Sequence, residues 1–159
     1  MNANMRNRTL RSPHLASGVG LIEVLVAVAI LAFGLLGIAA LQATALRNSQ
    51  SSYERSQAVA STYTILDRMR ANRSAAIGPS FAYNIAKTCV VPAGGGQAAN
   101  DIRDWITDLH KAMVDDNACG TIVCNQPGTT NECTITVEWD DSRGTKGSST
   151  QTLTTSTAI

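Results

Sequence analysis

The sequence predicts an α+β protein in which a long N-terminal helix, embedded in a membrane over its first half, packs on a small antiparallel sheet with a minor helix. Three observations carry this prediction. Residues 24–41 form an unbroken apolar run, residues 42–72 contain no Pro or Gly, and β-rich segments follow Asn117. The predicted parts are a leader over residues 1–18, the N-terminal helix over 19–72 and a disulfide-stapled head over 73–159.

The composition suits one small domain joined to one special segment. The chain has 159 residues, a net charge of +1, 44% apolar residues and only 4% aromatic residues. The apolar residues crowd into the N-terminal block, so the head is small and polar. Such a head cannot bury a large core and benefits from covalent staples. The near-zero charge gives no global field that would recruit nucleic acid.

Four cysteines lie in the polar part: Cys89, Cys119, Cys124 and Cys133. An even number in a small domain that follows a membrane segment indicates two disulfides and an oxidising compartment. A zinc site is the weaker hypothesis, because four residues separate Cys119 from Cys124 and no histidine pair lies nearby. Four cysteines allow three pairings.

The N-terminal segment has the composition of a membrane span. Arg6, Arg8 and Arg11 precede it without any acid, and every residue from Val24 to Leu41 is apolar or glycine. At about 1.5 Å per residue the run spans about 27 Å, close to the hydrocarbon thickness. The preceding arginines predict a cytoplasmic N-terminus and an outward head. That orientation places the cysteines where they can oxidise.

Two simple interpretations of this segment do not explain Glu23. One is a secretory signal peptide cleaved near Ala43-Thr44-Ala45, and the other is an uncleaved anchor. The apolar run is long for a signal peptide, in which about 7–15 residues are usual. Glu23 lies just before the run, where a carboxylate costs on the order of 2.5–3.5 kcal/mol if it reaches the core. An acid inside a membrane segment is by default a functional residue with a partner.

The third interpretation is a prepilin leader. The segment from Gly18 to Ala27, GVGLIEVLVA, resembles the G-F-T-L-I-E-V-L-V-A signature of type IV prepilins. The resemblance implies that a prepilin peptidase cuts between Gly18 and Val19 and methylates the new N-terminus. Glu23 then becomes the fifth residue of the mature chain. Val19 replaces the usual Phe and Gly20 the usual Thr, but the glycine and the glutamate remain.

The family role of this glutamate has a physical logic. The new amine of an incoming subunit and the glutamate of a neighbour carry opposite charges in a medium of low dielectric constant. Pairing them relieves two desolvation penalties and sets the axial register of the subunits. The resemblance therefore implies that Glu23 is the subunit-assembly residue, and Gly18 and Val19 are the processing residues.

The helix is predicted to continue past the membrane, from about Leu21 to Asn72, with Gly78-Pro79 as its stop signal. Two rows of side chains recur at helical spacing in its second half. The first row is predicted to pack on the head. Its members are Val59, Tyr63, Leu66 and Met69, and a neighbouring row contains Leu46, Tyr53 and Ala60.

A second helix is predicted after the loop through residues 92–96. Asn100 is its expected N-cap and Asp101 lies in its expected first turn. Its apolar positions recur at helical spacing and include Trp105, which is predicted to anchor the core of the head. These positions are Ile102, Trp105, Ile106, Leu109 and Met113.

The remainder is predicted as strands over residues 121–124, 133–139 and 150–157, with turns at 125–131 and 140–144. Cys124 and Cys133 flank the first turn, so they are placed to cross-link neighbouring strands. Cys89 and Cys119 would then tie the preceding loop to the sheet. We carry this pairing as a hypothesis.

This order of elements resembles the pilin fold and is most similar to PilV-type minor pilins. The similarity rests on a G-L-L-G-like anchor at residues 34–37 and a late T-I-T-V-x-W-D-like strand at residues 134–140. The resemblance implies a minor pilin that helps to initiate or prime pilus assembly. Its implied partners are other minor pilins, the major pilin, prepilin peptidase and the inner-membrane assembly platform. The implied location is the bacterial inner membrane as a single-pass protein with a periplasmic head, and then the filament or its tip.

Three other functions stay open. A minor pseudopilin of a type II secretion system shares the same anchor and fold. The chain could instead be an adhesive or DNA-binding tip subunit, or an exported, anchored protein with no filament role.

The sequence contains no catalytic constellation, so an enzyme is not expected. His14 falls in the leader, and His110 is expected to lie on a solvated helix face. Neither a metal site nor a cofactor site is predicted. The Asp115-Asp116 and Asp140-Asp141 pairs fit no EF-hand and are interpreted as solvated turns. Basic residues are scattered, so direct nucleic-acid binding is not expected.

Overall fold

The computed structural model describes residues 18–113, 115–125 and 131–159. Residues 1–17 of the predicted leader and most of the predicted turn at 125–131 lie outside the described residues. The chain divides between Ala40 and Leu41 into two compact units. The domain boundaries that the sequence predicts, at Gly18 and Asn72, stay predictions.

The fold is mixed α+β, with a long apolar N-terminal helix and a small antiparallel sheet, as the sequence predicts. The four strands follow one another across the sheet in chain order, β1-β2-β3-β4, and every neighbouring pair is antiparallel. The elements are α1 (Leu21–Ala71), α2 (Arg73–Ile77), β1 (Ile85–Thr88), α3 (Gln97–Met113), β2 (Cys119–Asn125), β3 (Glu132–Trp139) and β4 (Gln151–Ala158).

The second half of α1 contributes one wall of the head core, but by a face that differs from the predicted one. Leu66 and Met69 are fully buried, whereas Val59 and Tyr63 are 41% and 55% exposed. The buried face includes Ala58 and Thr62 in their place. The Thr62 hydroxyl satisfies itself by donating to the Ala58 carbonyl at 2.9 Å. The prediction of the buried face followed the large apolar residues alone. It therefore overlooked the buried positions that Ala58 and Thr62 fill.

Helix α3 contributes another wall of the core and contacts α1 directly, and it begins earlier than predicted. It starts at Gln97, and the Asn100 amide already donates to the Gly96 carbonyl at 2.8 Å. The prediction of Asn100 as the N-cap is therefore wrong. The true start has no Ser, Thr, Asp or Asn to mark it. Gln97 and the alanines after it join the helix because they are good helix formers. All five predicted apolar positions of this helix are buried.

Trp105 occupies the centre of the core and is 1% exposed. Its indole Nε1 donates to Ser61 of α1, 2.7 Å from the Oγ and 3.1 Å from the carbonyl oxygen. Its ring packs over Gly120 of β2, where an added Cβ would lie 2.5 Å from Trp105 Cζ3. The tryptophan thus joins α1, α3 and the sheet, as a core anchor should.

Two disulfides staple the sheet, and they join the pairs that we hypothesised from the sequence. Cys124 and Cys133 lie directly opposite each other on β2 and β3, with Cα atoms 4.0 Å apart. Cys89, just after β1, joins Cys119 at the start of β2. The Cys89–Cys119 disulfide closes the longer loop, with a sequence separation of 30. In the chain-entropy model a loop of this length contributes roughly 3–4 kcal/mol to the free energy of unfolding, because it restricts the unfolded chain.

Two short elements were not predicted. Helix α1 ends at Ala71, and α2 carries the helical chain on to Ile77, next to the predicted stop at Gly78-Pro79. Strand β1 has only four residues, of which Ile85 is the one large apolar residue. A segment this short shows no measurable alternation, so it is found only through its pairing with β2.

Tyr83 links the segment before β1 to the junction of α1 and α2 and to α3, and it is fully buried. Its hydroxyl donates to Asp101 Oδ2 and accepts from Asn72 Nδ2 at 3.3 Å. Burial, with a further contribution from the hydrogen bond to the Asp101 carboxylate, raises the pKa of Tyr83 to about 12 from the usual value of 10.0. Asp101 was predicted in the first turn of α3 but serves as a buried acceptor in the second.

We expect Tyr83→Phe to flatten the loss of stability at alkaline pH. Between pH 10 and about 12 the unfolded chain ionises this tyrosine and the folded chain does not. The unfolded state therefore binds fewer protons, and the free energy of unfolding falls as the pH rises through that window. Denaturant titrations at several pH values from 8 to 12 measure the slope. Parallel wild-type and variant curves across this window would show that Tyr83 carries no such linkage.

Candidate functional site

The start of helix α1 holds the residues that the sequence singles out. Residues 18–20 have no regular structure, and the helix begins at Leu21. The amides of Glu23 and Val24 donate to the Gly20 carbonyl at 3.0 and 3.3 Å. Glu23 therefore lies in the first helical turn. A carboxylate there interacts favourably with the helix dipole, typically by about 0.3–1 kcal/mol.

The large apolar residues in the first half of this helix are exposed. Leu21 is 81% exposed and Phe33 is 75% exposed. Within the described residues, α1 is the one helix that is long and apolar enough to cross a membrane, and none of its most apolar stretch is buried. This stretch therefore has the length and composition of a membrane span.

Among the described residues of its own unit, 18–40, there is no Lys, Arg or His that could pair with Glu23. The Gly18–Val19 peptide lies in exposed, irregular chain just before the helix, and Val19 is 71% exposed. The Glu23 carboxylate thus lies at the N-terminal end of an apolar helical stretch, with no cation among residues 18–40. The exposed chain before it also leaves the predicted cleavage bond accessible to a peptidase.

The face of α1 directed away from the head core is uncharged between residues 42 and 63. Its exposed side chains are small, aliphatic or aromatic, whereas Arg47, Glu54 and Arg55 point to other sides of the helix. Small residues let helices approach closely, and the tyrosines supply apolar contact area. This uncharged face contains Leu46, Ser49, Ser52, Tyr53, Ser56, Val59, Ala60 and Tyr63.

Two buried carboxylates that sequence analysis missed fasten the β3–β4 loop to α1. Asp141, 1% exposed, accepts from Ser51 Oγ at 2.8 Å and lies 3.4 Å from the Arg55 guanidinium. Glu54, also 1% exposed, lies 3.2 Å from the Arg143 guanidinium. Ser51 and Asp141 are 90 residues apart in the chain, and Glu54 and Arg143 are 89 apart. Patterns of neighbouring residues therefore cannot predict these contacts. The contacts fix the loop against the helix.

Asp140 and Asp141 thus have different surroundings, although the sequence interprets both as part of a solvated turn. The Asp140 carboxylate is exposed, and hydrogen bonds from the side chain and the amide of Ser142 hold its pKa below its usual range. Asp141 is buried. The interpretation as a solvated turn holds for Asp140 and is wrong for Asp141.

His110 was expected on a solvated helix face, but its ring has a hydrogen-bond partner within the head. Its Nε2 lies 3.0 Å from the Ala118 carbonyl oxygen, between α3 and β2. Across the described ranges, no group of three or more His, Cys, Asp or Glu side chains is arranged to hold a metal ion.

Neither protein-family models, nor characterised proteins, nor solved structures give a match for this chain.

Proposed function

We propose that this chain is a minor pilin of the PilV type, a membrane-anchored subunit that helps to initiate or prime assembly of a type IV pilus. One observation carries the proposal. Glu23 lies in the first turn of a helix whose first half is exposed and apolar, five residues after Gly18, and no Lys, Arg or His lies with it among residues 18–40. A plain anchor gains nothing from an acid at that place.

The proposed processing supplies the missing partner. Cleavage between Gly18 and Val19 by a prepilin peptidase creates a new amine, which the same enzyme methylates. In the filament, the amine of one subunit pairs with Glu23 of its neighbour. Each charge loses its hydration when the helices pack together in the filament. The pairing compensates both losses only in the correct axial register. The contact therefore selects one stacking of subunits.

The uncharged face of α1 and the disulfides support the same proposal. Other pilin helices can pack on that face without burying a charge. The two disulfides suit a head exposed to the oxidising periplasm after the chain crosses the inner membrane. The proposed partners are other minor pilins, the major pilin and the inner-membrane assembly platform.

Deletion and complementation in the host test this function directly. Loss of the chain is expected to reduce the number of surface pili, and the wild-type chain should restore them. Retained pili with lost protein secretion would favour a minor pseudopilin instead. Normal piliation with lost surface attachment or DNA uptake would favour a tip subunit. If piliation, secretion and attachment are all unchanged, a filament role is contradicted.

A further inference from the structure

Strand β4 forms an edge of the sheet that lacks the usual protection against pairing. It runs for eight residues, Gln151–Ala158, and contains no charged residue, Pro or Gly. It pairs one-to-one with β3 along its whole length, from Trp139↔Gln151 to Glu132↔Ala158, without a bulge. A long, regular and uncharged edge strand is a template for another strand.

The opposite edge of the same sheet is protected. Strand β1 has only four residues, and its register with β2 shifts between Ile85 and Thr88. It also carries Lys87, a residue type that discourages pairing at an edge. The contrast indicates that β4, and not β1, is the edge at which pairing is allowed.

The backbone groups that point outward from β4 can be identified by parity. In an antiparallel strand, the N–H and C=O of one residue face the same neighbour, and alternate residues face opposite sides. The Ile159 amide donates to Asn131 on the β3 side. The carbonyls of Thr152 and Ala158 instead accept only distant bonds, at 3.4 Å, from side chains of their own strand. The even residues therefore face outward, namely Thr152, Thr154, Ser156 and Ala158.

The side chains of these outward-facing residues leave room for a partner strand. All four are exposed and small, and each ends in a hydroxyl or a methyl group. Thr154 and Ser156 hydrogen-bond across to Thr136 and Thr134 of β3, at 3.1 and 2.8 Å. These cross-strand bonds hold the edge residues in one conformation, which lowers the entropy that a partner strand would lose on pairing.

We propose that β4 pairs with β4 of a second copy of this chain, in an antiparallel arrangement about a two-fold axis at Thr155. In this register Thr152 faces Ala158 of the other copy, and Thr154 faces Ser156. Each outward N–H and C=O finds a partner, and the two sheets become one sheet of eight strands. A two-fold interface uses the same patch on both copies, so that patch must be self-complementary.

The second copy is the occupant that the strand favours, because the strand complements itself in both charge and size. A charged edge would repel its own copy, and a bulky one would clash with itself. Neither applies to the exposed face of this edge, where Thr152 meets Ala158 and Thr154 meets Ser156 across the axis. The inference is independent of the proposed filament role, since it depends only on the head.

Cysteine cross-linking of the full chain in its native membranes tests this register. Thr155 faces Thr155 of the other copy in a pair that is not hydrogen-bonded, with Cα atoms about 4.5 Å apart. That spacing suits a disulfide. Thr155→Cys should therefore form a covalent dimer under mild oxidation. Thr152→Cys is the matched control, because in this register its two copies are about 20 Å apart.

The dimer must contain the peptide linked from position 155 to position 155, shown by mass spectrometry, so that exchange with the native disulfides is excluded. Adding Thr154→Pro to Thr155→Cys removes an outward N–H but no backbone hydrogen bond to β3; from β3 it loses only the side-chain contact with Thr136. It should lower the yield of cross-linked dimer by about tenfold or more. Because the dimer is symmetric, the substitution removes one intermolecular hydrogen bond in each copy, two in all. Thr154→Lys should act alike through repulsion and serves if the proline variant misfolds.

Three results would overturn the proposal. One is no cross-link at position 155, or no more than at position 152. The second is a cross-link that persists undiminished in a folded Thr154→Pro or Thr154→Lys variant. The third is capture of a different protein in place of a second copy.

Discussion

Replacing Glu23 with Ala is expected to leave the chain in the membrane and to lower its association with neighbouring pilins by about a hundredfold to a few thousandfold. Removing a carboxylate lowers the free energy of membrane insertion, so anchoring should not suffer. Association should suffer because loss of one partner from a buried ion pair is typically destabilising by about 3–5 kcal/mol. Each 1.4 kcal/mol corresponds to about a tenfold change in affinity.

The size of the effect separates this role from a simple helix-start role. If Glu23 acted only on the dipole of α1, its loss would alter stability by about 0.3–1 kcal/mol, or up to about fivefold. Co-purification with partner pilins from solubilised membranes provides the measurement. Glu23→Gln should lose association as Glu23→Ala does, because it keeps the shape and removes the charge. Glu132→Ala, at an exposed acid of the head, is the control, and unchanged co-purification of both Glu23 variants would contradict the pairing role.

Trp105→Ala is expected to lower the free energy of unfolding of the head by about 3–5 kcal/mol, the range for large aromatic-to-Ala substitutions in cores. The change removes a fully packed ring and its hydrogen bonds to Ser61. Typical domains are stable by about 5–15 kcal/mol, so this loss is a large share of the total. Denaturant unfolding of the purified chain, with the disulfides intact, measures it.

Two further variants apportion the Trp105 effect. Trp105→Phe keeps most of the ring and should show a smaller loss, of which about 1 kcal/mol reflects the missing hydrogen bond. Val123→Ala on the outer face of the sheet should change stability by at most about 0.5 kcal/mol. A Trp105→Ala variant as stable as Val123→Ala would show that the ring does not anchor the core.

The parts of the fold that the sequence predicts are those with long-range periodicity. The apolar run and the absence of helix breakers place α1 to within a residue of its observed end at Ala71. Alternation and β-branched residues place β2, β3 and β4. Cys124 and Cys133 flank a predicted turn, and antiparallel strands joined by a turn bring their adjoining ends together. This led to the pairing hypothesis, and the structure contains the same two disulfides.

The parts that the sequence misses depend on contacts between distant residues. Which face of α1 is buried is decided by the fit of Ala58 and Thr62 against the core, and apolar spacing does not report that fit. Glu54 and Asp141 are buried because cations from another segment reach them, so their surroundings cannot be deduced from nearby residues. Glu23 is the opposite case, because its significance arises from its immediate sequence context.

Intact-mass and N-terminal analysis of the chain, from cells with and without prepilin peptidase, tests the prepilin-type anchor most directly. With the peptidase present, we predict a chain that begins at Val19 and carries a methyl group on its amine. Without the peptidase, the leader should remain attached. A chain that begins after Ala45 would contradict the proposed anchor, because it would have lost Glu23 and the apolar helix.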